Sequence, residues 1–155
     1  MRRAGISPWW SPKVVLQLAA IVWAGWSAVA APAPAPSLGP AWLAGAALLL
    51  VGGACELWHY ALLKRASPRV GDTAVLLTRG GLYGVVRHPM YLGDAIMVLG
   101  ALGMARDSVA LALALAFAAV LAPLVRDEDA LLRKRFGEDF EAWAARTRRL
   151  LPGVW

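Results

Sequence analysis

Four long apolar segments constrain the fold of this chain more than any other feature of its sequence. They cover residues 14–31, 41–63, 89–105 and 108–125. As helices rising about 1.5 Å per residue, they would measure roughly 25–35 Å, which matches a hydrocarbon core of about 30 Å. The chain is 59% hydrophobic, more than a soluble domain of 155 residues can bury. We therefore predict an all-α, polytopic membrane bundle that forms a single domain.

The basic residues predict how these helices are oriented. Only Arg106, of the 16 lysines and arginines, lies on the side of the connections 31–40 and 105–108. Because cytoplasmic loops are enriched in Lys and Arg, we expect both termini and the loop 64–88 in the cytoplasm. The Ala-, Arg- and Gly-rich composition suggests a bacterial inner membrane. The basic blocks alternate with apolar runs, which favours membrane topology over nucleic-acid binding, and the single Cys55 excludes an intrachain disulfide.

The N-terminal segment allows two interpretations. Arg2 and Arg3, an apolar run and the sequence Ala-Val-Ala at 28–30 resemble a signal peptide with its cleavage site. Against cleavage, the run contains Gln17 and tryptophans, and its charged lead-in extends to Lys13. We expect a retained helix. The uncharged, proline-rich connection after it predicts a short, stiff, extended link.

Residues 126–150 predict a cytoplasmic amphipathic helix. One face repeats every three or four residues. Its members are Leu132, Phe136, Phe140, Trp143, Thr147 and Leu150. Gly137 lowers the intrinsic helicity, so packing or the bilayer surface must hold this helix. It either lies on acidic lipid or caps a pocket that opens to the cytoplasm.

The stretch GLYGVVRHPMYLGD, residues 81–94, places several polar side chains at the start of the third apolar segment. Ionisable groups at a membrane boundary are costly and therefore candidates for function. Pro89 suits the first turn of a helix, which predicts His88 at the N-cap, Arg87 just outside and Tyr91 one turn in. The helix start and the Arg87 guanidinium would favour a bound carboxylate or phosphate. The alternative is an interfacial anchor of Arg, His and Tyr.

The acidic run Asp127-Glu128-Asp129 lies where the fourth apolar segment leaves the membrane. Alone, it is typical of a solvated turn that balances the Arg-Lys-Arg sequence after it. However, the third and fourth segments form a helical hairpin with a tight turn at 105–108, so residues 87–91 and 126–129 should be neighbours. A cationic and an anionic cluster that face each other suit a zwitterionic ligand.

Three further polar residues lie inside the apolar segments. Glu56 and His59 share one helix face with the spacing found in di-iron bundles, but the chain has two histidines in all. We therefore predict no metal, and expect either a buried pair that lines a pocket or a Glu56 paired with a basic residue. Asp94 lies on the face of Tyr91 and should either pair with Arg87 or contact a substrate.

Together, these motifs resemble the isoprenylcysteine carboxyl methyltransferase and phospholipid methyltransferase group of integral membrane enzymes. The resemblance covers roughly residues 45–152. It follows the patterns G-x-Y-x-x-x-R-H-P-x-Y-x-G and E-E-x-x-L-x-x-x-F-G-x-x-Y-x-x-Y. The matching residues are Gly81, Tyr83, Arg87, His88, Pro89, Tyr91 and Gly93, and then Glu128, Leu132, Phe136 and Gly137.

This resemblance implies transfer of the methyl group of S-adenosylmethionine, at the cytoplasmic face, to a lipophilic or small acceptor reached from the membrane. It implies that Arg87 and Glu128 are needed for catalysis. The cofactor would be held by Tyr83, His88, Pro89, Tyr91, Gly93, Glu128 and Asp129. Four departures from the family pattern leave the acceptor open as a carboxylate, an amine or a thiol. They are Leu82 for a proline, Asp129 for a glutamate, and Phe140 and Trp143 for two tyrosines.

Two other functions compete with methyl transfer. An NADPH-dependent reductase resembling the membrane steroid reductases would use the same cytoplasmic site, and those enzymes also lack a glycine-rich dinucleotide loop. A non-enzymatic small membrane protein would use the polar clusters only as anchors. The sequence does not define an oligomeric state.

Overall fold

The computed structural model describes residues 7–30, 39–66 and 81–151. Within these ranges the fold consists of five α-helices, and a short 3₁₀ turn at Gly81–Gly84 precedes the third of them. The helices are α1 (Trp10–Ala30), α2 (Pro40–Ala66), α3 (Pro89–Ala105), α4 (Ser108–Phe136) and α5 (Glu138–Arg146). The expected outer link and most of the loop 64–88 lie outside the described residues, as do both ends of the chain.

Three of these helices are long and apolar enough to cross a membrane, namely α1, α2 and α4. The remaining predicted span, α3, is also apolar but has only 17 residues. Large apolar side chains are exposed along the long helices, among them Val22, Leu50, Leu57 and Leu115. Such surfaces suit contact with lipid. The prediction of an all-α membrane bundle is confirmed.

The helix α3 packs most extensively against α2, because glycines let the two backbones touch. Gly52 lies opposite Gly93, and Gly45 lies opposite Gly100. A Cβ atom added to Gly52 would be 2.5 Å from the carbonyl oxygen of Gly93, and one added to Gly45 would be 2.7 Å from that of Gly100. Small residues permit this close approach in membrane bundles, where packing drives helix association. The contact fixes the position of α3 along α2 and therefore the position of its polar residues.

The turn between α3 and α4 is as tight as the sequence predicts. Arg106 adopts a left-handed conformation with φ 53°. Asp107 caps α4 by accepting a hydrogen bond from the backbone N–H of Ala110 at 2.8 Å, and it also accepts one from Trp23 Nε1 at 2.9 Å. The second contact ties α1 to this end of the hairpin.

The C-terminal region differs from its prediction. The helix α4 continues through residue 125 to Phe136, and a separate helix α5 follows Gly137. The prediction of one helix over 126–150 is therefore wrong. Gly137 has φ 51°, a conformation that side chains with a Cβ atom rarely adopt, so the chain changes direction there. The predicted face is nevertheless largely buried, at Leu132, Phe140, Trp143, Thr147 and Leu150.

Candidate active site

The Arg-His-Pro motif and the acidic run meet at one end of the bundle, as the hairpin topology predicts. His88 is the N-cap residue of α3, and Pro89 occupies its first turn. Asp129 lies near the end of α4, and its carboxylate is 2.9 Å from His88 Nε2. We call the set Arg87, His88, Tyr91, Glu128, Asp129 and Arg149 the site cluster.

Asp129 is the buried centre of this cluster, with an exposed fraction of 2%. Its Oδ1 accepts hydrogen bonds from Arg87 Nε at 3.3 Å and from His88 Nε2. Its Oδ2 accepts from Arg87 Nη2 at 3.2 Å and from Arg149 Nε at 2.8 Å. An ionised carboxylate has about four lone-pair positions, and these four donors use them. Asp129 is therefore satisfied by the protein itself.

Arg87 is equally integrated into the fold. Besides its two bonds to Asp129, its Nη1 donates to the carbonyl oxygens of Ala144 at 3.2 Å and Thr147 at 2.9 Å. These acceptors lie in α5 and at its end, so Arg87 joins the start of α3 to the C-terminal region. The possible pairing of Arg87 with Asp94 is wrong, since Arg87 pairs with Asp129 instead.

In the part of the chain that the structure describes, the Glu128 carboxylate has fewer hydrogen-bond donors around it than the Asp129 carboxylate. Its side chain is 34% exposed. Tyr91 donates its hydroxyl to Glu128 Oε1 at 2.6 Å, and His88 Nδ1 lies 3.5 Å from Oε2. The Tyr91 ring also stacks on the His88 imidazole, with centroids 5.7 Å apart. Glu128 is thus oriented by two aromatic side chains and still has an accessible carboxylate.

His88 lies between the two carboxylates. Its burial alone would favour the neutral imidazole. The hydrogen bonds and charges of Asp129 and Glu128 outweigh that effect and raise the pKa of His88. An imidazolium can donate from both ring nitrogens, which suits two acidic neighbours. In its protonated form, His88 adds positive charge to the cluster beside the start of α3.

The residues after α5 run alongside the motif as a short extended strap. Val86 and Arg148 form an isolated parallel bridge. Arg87 N–H donates to the carbonyl of Arg148 at 2.6 Å, and His88 N–H donates to that of Arg149 at 3.1 Å. The sequence left two locations open for the C-terminal region, either on acidic lipid or over a pocket that opens to the cytoplasm. Its contacts place it against the motif.

Tyr83 lies beneath α5. Trp143 Nε1 donates to its carbonyl oxygen at 3.1 Å, and Tyr83 is only 3% exposed. Burial, together with the charge of Glu128, raises the pKa of the Tyr83 phenol. Tyr83 therefore stays protonated at neutral pH and packs against Leu132, Phe140 and Trp143 in a small aromatic core.

His59 joins two parts of the backbone. Its Nε2 is 2.9 Å from the backbone N–H of Leu82, and its Nδ1 is 2.7 Å from the carbonyl oxygen of Cys55. Because the Leu82 N–H can only donate, Nε2 accepts and Nδ1 carries the proton. His59 therefore fixes the 3₁₀ turn to α2, and its ring nitrogens are not directed toward the site cluster.

The other polar residues of the spans form a second group. Asp94 pairs with Lys13 and Gln17 of α1, and the Glu56 carboxyl lies beside Asp94 and Gln17. Within residues 7–30, 39–66 and 81–151, no group of three or more His, Cys, Asp or Glu side chains could hold a metal ion. Gly93 lies against the backbone of α2, so its role is close helix packing.

Sequence reasoning missed three of the residues that complete these contacts. The sequence predicts no partner for Lys13 or Gln17, although these two residues are four positions apart and share one face of α1. That spacing was the available signal for a buried polar pair. Arg149 gave no local signal, because it is one of several arginines near the C-terminus.

A comparison with known families shows which family the chain belongs to. The model of the phospholipid methyltransferase family matches residues 41–139, which include α2, α3, α4 and the start of α5. The chain belongs to the phospholipid methyltransferase family. Family membership and the long apolar helices make it an integral membrane protein. The helix α1 lies outside the matched region.

Two curated relatives share part of this region. The nickel-cobalt-cadmium resistance protein NccN of Alcaligenes xylosoxydans xylosoxydans is 38% identical over 84 residues, 53% of this chain and 38% of that protein. The cobalt-zinc-cadmium resistance protein CzcN of Cupriavidus metallidurans is 38% identical over 78 residues, 49% of this chain and 35% of that protein. The chain thus spans little more than a third of these relatives. No solved structure matches the chain significantly.

Proposed function

We propose that this family member transfers the methyl group of S-adenosylmethionine, at the cytoplasmic face, to a lipophilic or small acceptor that it reaches from the membrane. The observation that carries this proposal is the contrast between two adjacent carboxylates. Asp129 is saturated by four donors, whereas Glu128 is oriented by Tyr91 and His88 and remains one-third exposed. Glu128 is therefore the acidic group of the site cluster that can accept a ligand.

The residues of the cluster fit the chemistry of this cofactor. S-adenosylmethionine carries an ammonium, a carboxylate and a sulfonium, so it needs partners of both signs. Glu128 supplies an anionic partner. The His88 imidazolium and the first N–H groups of α3 supply a positive region for a carboxylate, because a helix N-terminus favours anions. When bound, the cofactor provides an already activated methyl group for in-line transfer.

The surrounding side chains prepare the site for that transfer. Tyr91 and His88 hold the Glu128 carboxylate in one orientation. Arg87 joins Asp129 to the strap after α5, so we assign it a positioning role. The strap and α5 cover the motif on one side, which helps to exclude water from the reaction.

The acceptor remains a carboxylate, an amine or a thiol in this proposal. An amine would have to lose a proton before attack, whereas an ionised carboxylate or thiolate would need only orientation. The two relatives are named for resistance to metal ions. Growth with and without cobalt or cadmium is therefore a useful condition when lipids and small products are compared between cells that contain or lack the protein.

The test is binding and transfer by purified protein and a matched pair of variants. Glu128→Gln should weaken the binding of S-adenosylhomocysteine roughly 10-fold to 100-fold, because a charge-assisted hydrogen bond contributes about 1.5–3 kcal/mol. Glu141→Gln is the control, since Glu141 pairs with Arg133 on the exposed surface. Membranes with the wild-type protein should transfer tritium from labelled S-adenosylmethionine to a lipophilic or small product.

Two outcomes would overturn the proposal. The first is a wild-type protein that neither binds S-adenosylhomocysteine nor transfers the label. The second is thermal stabilisation by NADPH but not by S-adenosylmethionine, which would favour the reductase. Equal effects of the Glu128 and Glu141 substitutions would remove Glu128 from the site.

A further inference from the structure

A second buried charge cluster lies next to the site cluster and involves α1. Lys13 Nζ is 2.6 Å from Asp94 Oδ2, with side chains that are 5% and 1% exposed. Gln17 Nε2 donates to the other oxygen, Asp94 Oδ1, at 3.0 Å. Lys13 and Gln17 precede residue 41, so the family match does not cover them. We call Lys13, Gln17 and Asp94 the Lys13 cluster.

Helix packing alone does not account for this cluster. Desolvation of a buried ion pair offsets much of its attraction, and apolar residues of similar size are often at least as stabilising. Ionisable side chains within an apolar bundle are therefore functional candidates. Glu56 of α2 lies beside Asp94, so two carboxyl groups share the single ammonium of Lys13.

The Lys13 cluster is connected to the site cluster through Tyr91. Lys13 Nζ lies 5.3 Å from the centroid of the Tyr91 ring, within the range of a cation–π interaction. Asp94 lies three residues after Tyr91 on α3, so one ammonium contacts both side chains on adjacent turns. The hydroxyl of the same ring donates to Glu128 at 2.6 Å.

We propose that Lys13 is a positioning residue for the site. With Asp94 and Gln17 it fixes the Tyr91 ring, and the ring then orients the Glu128 carboxylate. The positive charge next to the phenol also strengthens the hydroxyl as a donor to Glu128. This inference rests on the proposed function for its effect on cofactor binding, whereas the positioning of Tyr91 can be measured without a cofactor.

The experiment uses the full chain in detergent micelles and two measurements. The chain has three tyrosines, so ¹³Cζ-tyrosine labelling should give three resonances, and Tyr91→Phe assigns one of them. The test variant is Lys13→Met/Asp94→Asn, which removes both charges of the pair together. It should shift the Tyr91 resonance. It should also weaken S-adenosylhomocysteine binding about fivefold, the effect of one hydrogen bond of about 1 kcal/mol.

The matched control removes a side-chain hydrogen bond at the other end of α1. Trp23→Phe removes the hydrogen bond from Trp23 to Asp107, far along the helix from Lys13. It should leave the Tyr91 resonance and the binding affinity unchanged. If the charge removal acts through Tyr91, its effect on binding should disappear in a Tyr91→Phe background.

Either of two results would overturn the inference. One is an unchanged Tyr91 resonance in Lys13→Met/Asp94→Asn. The other is an equal loss of affinity with and without the Tyr91 hydroxyl, which is the signature of a general structural role. If the wild-type protein binds no S-adenosylhomocysteine, the proposed function fails, and the Tyr91 resonance alone decides whether Lys13 positions that ring.

Discussion

Replacing Asp129 by asparagine would show how far charge holds the site cluster together. The substitution preserves the size of the side chain but removes its negative charge and one of its acceptor oxygens. Each oxygen of Asp129 accepts two hydrogen bonds, so two of the four donors would face an amide NH₂ group. Asparagine cannot satisfy these donors in any rotamer.

The expected cost follows from the burial of the partners. Removing one member of a buried ion pair costs about 3–5 kcal/mol, because the remaining charge is uncompensated. Arg149 is 33% exposed and can turn toward solvent, but Arg87 is 9% exposed and His88 5%. Because asparagine keeps one acceptor, we expect the lower limit, about 3 kcal/mol. For a chain of this length that corresponds to a fall in Tm of roughly 6–12 °C.

Thermal unfolding of the purified variants in one detergent measures this fall. Asp127→Asn is the matched control, since Asp127 is two residues away and accepts a single hydrogen bond from Ser7 at 3.0 Å. We expect it to cost less than about 1 kcal/mol. If the two variants unfold at the same temperature, the four contacts of Asp129 contribute no more than that single bond, and the reasoning is refuted.

Three other predictions concern stability. His88 has a raised pKa, so its contribution is complete below about pH 6.5 and is lost as the pH rises through that raised value; Tm measured from pH 5 to 9 should fall more steeply in the wild type than in His88→Gln. Gly52→Ala should cost about 1–3 kcal/mol in thermal unfolding, because its Cβ atom would meet the Gly93 carbonyl, whereas Gly25→Ala meets nothing within 4 Å and should cost nothing. His59→Ala should cost about 2–3 kcal/mol in the same assay and increase hydrogen exchange in the turn at 81–84, because that turn loses its attachment to α2.

The meeting of the two motifs could be predicted because it depends on topology. A tight turn between two apolar segments returns the chain to its starting side, so the start of α3 must lie near the polar end of α4. The partner of each charge could not be predicted in the same way. Asp94 is near Arg87 in the sequence, but it lies a turn and a half inside α3, where α1 supplies Lys13 instead.

The C-terminal region shows what the spacing of apolar residues predicts and what it does not predict. The recurrence of Leu132, Phe140, Trp143 and Thr147 correctly predicts which side chains are buried. It does not predict that one helix carries them, because Gly137 separates α4 from α5. The buried apolar face continues across Gly137 because residues of both helices pack around Tyr83. That contact joins residues far apart in the sequence and cannot be read from either segment alone.

The carboxylates around Tyr91 differ in how completely nearby cations compensate them, and this difference bears on where a ligand could bind. Asp94 is compensated by Lys13, and Asp129 by Arg87, His88 and Arg149. Among residues 7–30, 39–66 and 81–151, Glu128 has a neutral hydroxyl and the more distant nitrogen of the shared His88 imidazole as its partners. A buried or half-buried carboxylate with so little compensation is costly, whereas a cationic ligand group would balance it. Since Asp94 and Asp129 already have their cations, a ligand ammonium would gain more at Glu128 than at either of these two acids.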